Sequence, residues 1–185
     1  GMLSTRYYLY LKGESRERLI KNSTSYETFS LTREIKRGVT KTCIIEGSFA
    51  MGGAIGLDNR ELLPPFFPVL RHEDGVFMNT LKTIQPYGYI AHIPWVIKHD
   101  PPQIRNTTKS DALRAGITFR VSDIVINCIK TFQCPIYMSS PSLRIRYLGE
   151  YLKSLAQLNQ SDFLEFIYLI QADDMAHSIH YLDDS

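Results

Sequence analysis

The sequence predicts an α/β core followed by a helical segment, and three observations predict it. Residues 1 to about 106 hold most of the glycines and seven of the nine prolines, with short apolar runs between them, the punctuation of short strands and turns. From about residue 111 onward apolar residues recur at spacings of three and four, the mark of amphipathic helices. A length of 185 residues fits one domain, or one domain with a modest appendage, and is enough to bury roughly two thirds of the unfolded surface. The expected division is an α/β core over residues 1–106 and a helical segment over 107–185 packed on it.

In chain order, TCIIEGSFAMGGAIGL (residues 42 to 57) reads as a strand running into a glycine-rich turn, where Gly52 and Gly53 permit positive φ and close approach of the backbone to a ligand. LDNRELLPPFF then predicts a short helix capped by Asp58 or Asn59 and stopped by Pro64 and Pro65. Val76, Phe77, Thr80 and Leu81 have helical spacing over residues 75 to 84, with Glu73 and Asp74 at the N-terminal end. YGYIAHIPWVIKH (residues 87 to 99) reads as a strand that Pro94 interrupts and Pro101 with Pro102 terminates. Ile117, Val121, Ile124, Val125, Cys128 and Phe132 make one amphipathic helix, residues 117 to 132. Pro141 opens a second with an apolar face of Ile145, Leu148, Leu152 and Leu155; Ser161 is the expected N-cap of a third, carrying Phe163, Phe166, Ile167 and Ile170.

Composition narrows the class of function. No apolar run approaches the roughly 20 residues that span a bilayer, and the first residues show no secretory signal. Cys43, Cys128 and Cys134 are odd in number and lack metal-like spacing, which predicts reduced thiols and a cytoplasmic setting. The net charge of +2 hides an asymmetry: residues 159 to 185 carry six acids and no Lys or Arg, leaving the rest of the chain distinctly basic. That basic part suits an anionic, phosphate-bearing ligand. Nucleic acid is not expected, because there is no Lys/Arg run and no recognised nucleic-acid motif.

The stretch PVLRHEDGVF (residues 68 to 77) sets His72, Glu73 and Asp74 between two apolar runs. Acids at a helix start cap free N–H groups and complement the helix dipole. A carboxylate fixed there is also well oriented to act as a general base, and adjacent residues can divide the two roles. His99 poses a similar choice between a solvated strand end and a metal-proximal imidazole, with His92 the competing histidine.

The order of these pieces resembles the acceptor-side, C-terminal half of family-2-like GT-A glycosyltransferases. In that family a Gly-Gly or Gly-Ala turn precedes an Arg-containing helix, an acidic pair begins the helix after the acceptor loop, and a histidine closes a later strand. The resemblance covers roughly residues 40 to 102. It implies an incomplete GT-A-like nucleotide-diphospho-sugar transferase core and inverting transfer of a sugar to a hydroxyl on an acceptor glycan or lipid-linked sugar. Asp74 would match the general base, Glu73 would hold the acceptor, and His99 would lie near the divalent metal, Mg²⁺ or Mn²⁺. Gly52, Gly53 and Arg60 would lie against the substrates, and Trp95 would offer a ring face to a sugar or serve the core. The family's Asp-x-Asp motif has no counterpart in the sequence. Activity would then call for a partner supplying the donor half, and a homodimer is a further expectation. The alternative is a non-catalytic sugar-binding or assembly module.

Overall fold

The computed structural model describes residues 13–31, 39–47, 50, 52–68, 72–95, 108, 120–135 and 137–183. The described elements are helices α1 (Glu14–Ile20) and α2 (Ser23–Leu31), strand β1 (Cys43–Ile45), a 3₁₀ turn (Gly52–Ala54), helix α3 (Glu73–Ile84), strand β2 (Ile90–His92), and helices α4 (Val121–Thr131), α5 (Pro141–Ala156) and α6 (Gln160–Asp183). The fold is mixed α/β and mostly helical; its sheet has two strands, β1 paired with β2. The chain forms two compact units, one of Gly1–Cys43, Ala91–Thr118 and Tyr181–Ser185, the other of Ile44–Ile90 and Phe119–His180.

In the first unit α1 and α2 pack together, with Leu19 buried. Gly13 enters α1 at φ 56°, in the left-handed region that favours glycine, and its carbonyl accepts the N–H groups of Arg16 and Glu17. The Asn22 Oδ1 caps α2 by accepting the Ser25 N–H at 2.8 Å. The sequence reading did not anticipate either helix, since neither carries a clear apolar stripe.

The second unit is built around α3, in which no residue from Asp74 to Ile84 is exposed. Phe77 and Ile84 are each 1% exposed. Val76 packs with Ile129 of α4 and Leu148 of α5, and Phe67, Val125, Ile126, Phe132, Tyr151 and Leu152 close round that cluster. A second cluster joins Cys128, Leu155 and Ile167, bringing in α6. At Gly75 an added Cβ would sit 3.0 Å from Ile126 Cδ1, so the missing side chain lets α3 and α4 approach closely at α3's first turn.

A helix covered all round must satisfy its own polar side chains, and α3 does so locally. Asn79 Nδ2 donates to the Gly75 carbonyl, Thr80 Oγ1 to the Val76 carbonyl and Thr83 Oγ1 to the Asn79 carbonyl, all at 2.8 Å and all one turn back. Lys82 Nζ reaches past the helix end to the carbonyls of Pro86 (3.0 Å) and Gly88 (3.2 Å), folding the following turn onto α3. The buried Arg144 of α5 donates Nε–H to the Met138 carbonyl at 2.6 Å and Nη1–H to the Thr83 carbonyl at 3.4 Å. Its charge thus lies at the C-terminal, negative end of the α3 dipole.

Three expectations need correction. No helix forms at Asp58–Leu63: Asp58 Oδ1 instead accepts the Arg60 N–H at 3.1 Å, a side-chain turn two residues long that competes with capping, and the two prolines leave no room to propagate. Of the strand expected at 87–99, residues 87–95 hold only Ile90–His92, because Lys82 draws Pro86 and Gly88 into a turn and the Trp95 N–H bends back to the Ile93 carbonyl at 2.7 Å; residues 96–99 lie outside the described residues. The cap of α6 is Asn159, whose Oδ1 accepts the Asp162 N–H at 2.9 Å, while Ser161 lies inside the first turn. Helices α4 and α5 fall where the apolar spacing placed them; residues 117 to 119 lie outside the described residues.

Arg144→Met keeps the apolar stem and removes both donors, leaving carbonyls in a buried site unpaired. Urea denaturation should show a loss of about 1.5–3 kcal/mol, as for hydrogen bonds made by a charged group.

Candidate functional site

Local backbone geometry builds the start of α3. His72 takes φ 73°, ψ 24°, a left-handed conformation that is strained for a residue with a Cβ. Its ring is held from both sides by α4. Arg120 Nη1 donates to Nε2 at 2.9 Å, so Nε2 is the acceptor, the proton sits on Nδ1, and Nδ1–H donates to Asp123 Oδ1 at 3.1 Å. That tautomer is assigned from the partners, since guanidinium donates only. The other oxygen of Asp123 accepts the Arg120 N–H at 2.9 Å, so one carboxylate caps α4 and secures the residue that starts α3.

Asp74, two residues on, is half-buried. Its Oδ1 accepts the Gly75 N–H at 2.8 Å and its Oδ2 accepts the Gly52 N–H at 3.2 Å. The glycine turn and the acidic helix start, 22 residues apart, are therefore in contact. A Cβ on Gly52 would lie 3.3 Å from Asp74 Cβ, tighter than ordinary contact, whereas one on Gly53 would meet nothing within 4 Å. Neither glycine uses positive φ; Gly52 matters for close approach, and what approaches it is Asp74. Glu73 is exposed beside this contact.

The Arg60 guanidinium forks onto Asp58, with Nε 2.9 and 3.1 Å from the two carboxylate oxygens, and both side chains are exposed. Hydrogen bonds from Arg60 to the carboxylate lower the Asp58 pKa from 3.8 to about 2, and the same pairing raises that of Arg60. Trp95 is exposed and belongs to the other compact unit. His99 lies outside the described residues. Burial pushes the Cys128 thiol up, which suits a small hydrophobe and not a nucleophile; Cys43 and Cys134 are also free.

Among the described residues no group of three or more His, Cys, Asp or Glu converges as metal ligands would. His99, the residue expected near the Mg²⁺ or Mn²⁺ of the glycosyltransferase resemblance, lies outside the described residues, and no chemical step is routed through a metal. Among the described residues, too, no helix is long and apolar enough to cross a membrane. Comparison with known proteins yields no family model, no curated protein and no solved structure that matches the chain.

The sequence reading singled out His72 without finding its partners, and it missed Arg120 and Asp123 altogether. The one available signal was Arg120-x-x-Asp123 directly ahead of an apolar helix, the spacing at which an acidic side chain reaches back to the residue before the helix.

Asp123→Ala removes the partner of the His72 ring and the cap of α4 together. A loss of about 1–2 kcal/mol in denaturant unfolding is expected. For Asp58 the folded pKa is depressed, so the stabilising contribution of its pair with Arg60 is complete above pH 3.8 and disappears as pH falls through about 2. In an NMR titration its carboxyl should turn over near pH 2 in the wild type and at higher pH in Arg60→Ala, where only the backbone N–H bond remains to hold it down.

Proposed function

We propose that the chain is the acceptor-side portion of a GT-A-like glycosyltransferase, with Asp74 as the group that takes the acceptor proton. The observation that carries this reading is the hydrogen bond from Gly52 N–H to Asp74 Oδ2, which draws together the glycine turn and the acidic pair on which the resemblance rests. In the reaction, an acceptor hydroxyl gives its proton to the Asp74 carboxylate as its oxygen attacks the anomeric carbon of a nucleotide-diphosphate sugar. The bond to the diphosphate breaks with inversion, and the nucleotide diphosphate leaves with the bonding pair. Backbone N–H bonds to both oxygens hold the carboxylate in one orientation, the positioning that a general base needs. Glu73, exposed beside it, is placed to accept a second acceptor hydroxyl. The donor half, with its electrostatic support for the leaving diphosphate, is assigned to another chain or another segment.

A second reading, a non-catalytic sugar-binding or assembly module, draws on the same hydrogen bonds. Two backbone N–H groups on one carboxylate are also what a purely structural cap requires.

Amide NMR titration with nucleotide sugars and with simple glycosides, followed by a nucleotide-release assay with donor and acceptor together, separates these readings. The transferase reading expects glycoside-induced shifts centred on Gly52, Gly53 and Gly75 and, once the donor half is supplied, release that falls about 10²-fold or more in Asp74→Asn. Shifts without release in any condition support the binding module. No shift at millimolar ligand, with Asp74→Asn changing only stability by about 1 kcal/mol, would remove sugar chemistry from this site.

A further inference from the structure

Helix α6 has two apolar faces, and only one of them is covered by described residues. Phe163, Phe166 and Ile167 turn toward Cys128 and Leu155 of the core. On roughly the opposite side, Leu164, Tyr168, Leu169 and Met175 are 42%, 65%, 66% and 60% exposed. Leu164, Tyr168 and Met175 stand at positions i, i+4 and i+11 and share one stripe, with Leu169 one residue round from Tyr168 on its flank. Leu164, Tyr168 and Leu169, with Ser161, Glu165 and Ala172, border a shallow groove of about 520 Å³. A lone exposed leucine needs no explanation, but a contiguous stripe of large apolar side chains marks an interaction surface.

Charge selects the occupant. Residues 159 to 185 carry six acids and neither Lys nor Arg. Glu165 lines the groove, and Asp162 and Asp173, both exposed, follow the edge on which Leu169 lies. A second copy of α6 laid across this stripe would bring acid against acid, which like-charge repulsion opposes. From Leu164 to Met175 the stripe covers three turns, roughly 16 Å, the reach of a short helix with anchors at positions i, i+4 and i+7. We propose that this face of α6 docks an amphipathic helix of another protein whose apolar stripe is flanked by lysine or arginine.

The test uses the full chain and a fluorescein-labelled helical peptide of roughly 18 residues, five turns, with leucines on one face and lysines on its flanks. Fluorescence anisotropy should show saturable one-to-one binding that weakens with added salt. Leu169→Asp and Tyr168→Glu, both at exposed positions and with unchanged circular dichroism, should each weaken it about tenfold or more. The proposal is overturned if the peptide does not bind, if both variants bind it as well as the wild type does, or if a scrambled peptide of the same composition binds equally. It is also overturned if sedimentation shows a dimer that Leu169→Asp dissolves, which would give the face to a second copy.

Discussion

The covering of α3 on every side is the constraint from which the rest of its compact unit follows. A helix with no exposed residue from Asp74 to Ile84 must be wrapped by other elements, and its ends must be tied to them. Apolar burial drives the wrapping: a fully buried phenylalanine such as Phe77 contributes about 1.5–3 kcal/mol relative to exposure, and its ring also stacks on Phe66 at 4.1 Å and 7°. The ends are handled by charge. At the N-terminus α4 supplies Asp123 and Arg120 to the His72 ring; at the C-terminus α5 supplies Arg144, and Gln85 Nε2 donates to the Leu62 carbonyl at 2.9 Å. The proline-aromatic bend is thereby stretched along α3 from Leu62 to Phe67.

What could be read from the sequence was what depends on neighbours along the chain. Apolar residues at three- and four-residue spacing revealed α3, α4 and α5, and Pro141 marked the start of α5 because its missing N–H is harmless at a first helical position. Asp74 at the head of α3 was legible for the same local reason. The tie of His72 to Asp123 and Arg120 was not, since its partners lie 51 and 48 residues away and no single one of them is unusual in its own context. Local rules also misled. Asp58 has the chemistry of a helix cap, but an arginine two residues later offers both a backbone N–H and a guanidinium, and the shorter turn wins. Ser161 and Asn159 are both good caps, and only the register of α6 decides for Asn159. Lys82, polar on an otherwise covered helix, is explained by two carbonyls in the next turn.

The same logic limits and locates the candidate site. A side chain at Gly52 would crowd Asp74, and one at Gly53 would meet nothing, although the sequence presents them as a pair. Arg60 is paired with its neighbour Asp58, while Arg120 bonds the His72 ring, a tie the sequence reading did not find. Whether Asp74 works as a base or a cap, its position is inherited from α3, whose first turn is set against α4 by Gly75, His72 and Asp123.

That inheritance is the central claim, and hydrogen exchange at the Gly52 amide tests it most directly. Among the described residues the amide donates to Asp74, while Asp123 hydrogen-bonds His72 and Arg120 and acts on Gly52 and Asp74 through the seating of α3. In Asp123→Ala the Gly52 amide should exchange faster than in the wild type while amides in the middle of α5 keep their relative protection. An unchanged Gly52 rate in that variant would contradict the account, because the turn would then be held to Asp74 independently of how α3 begins.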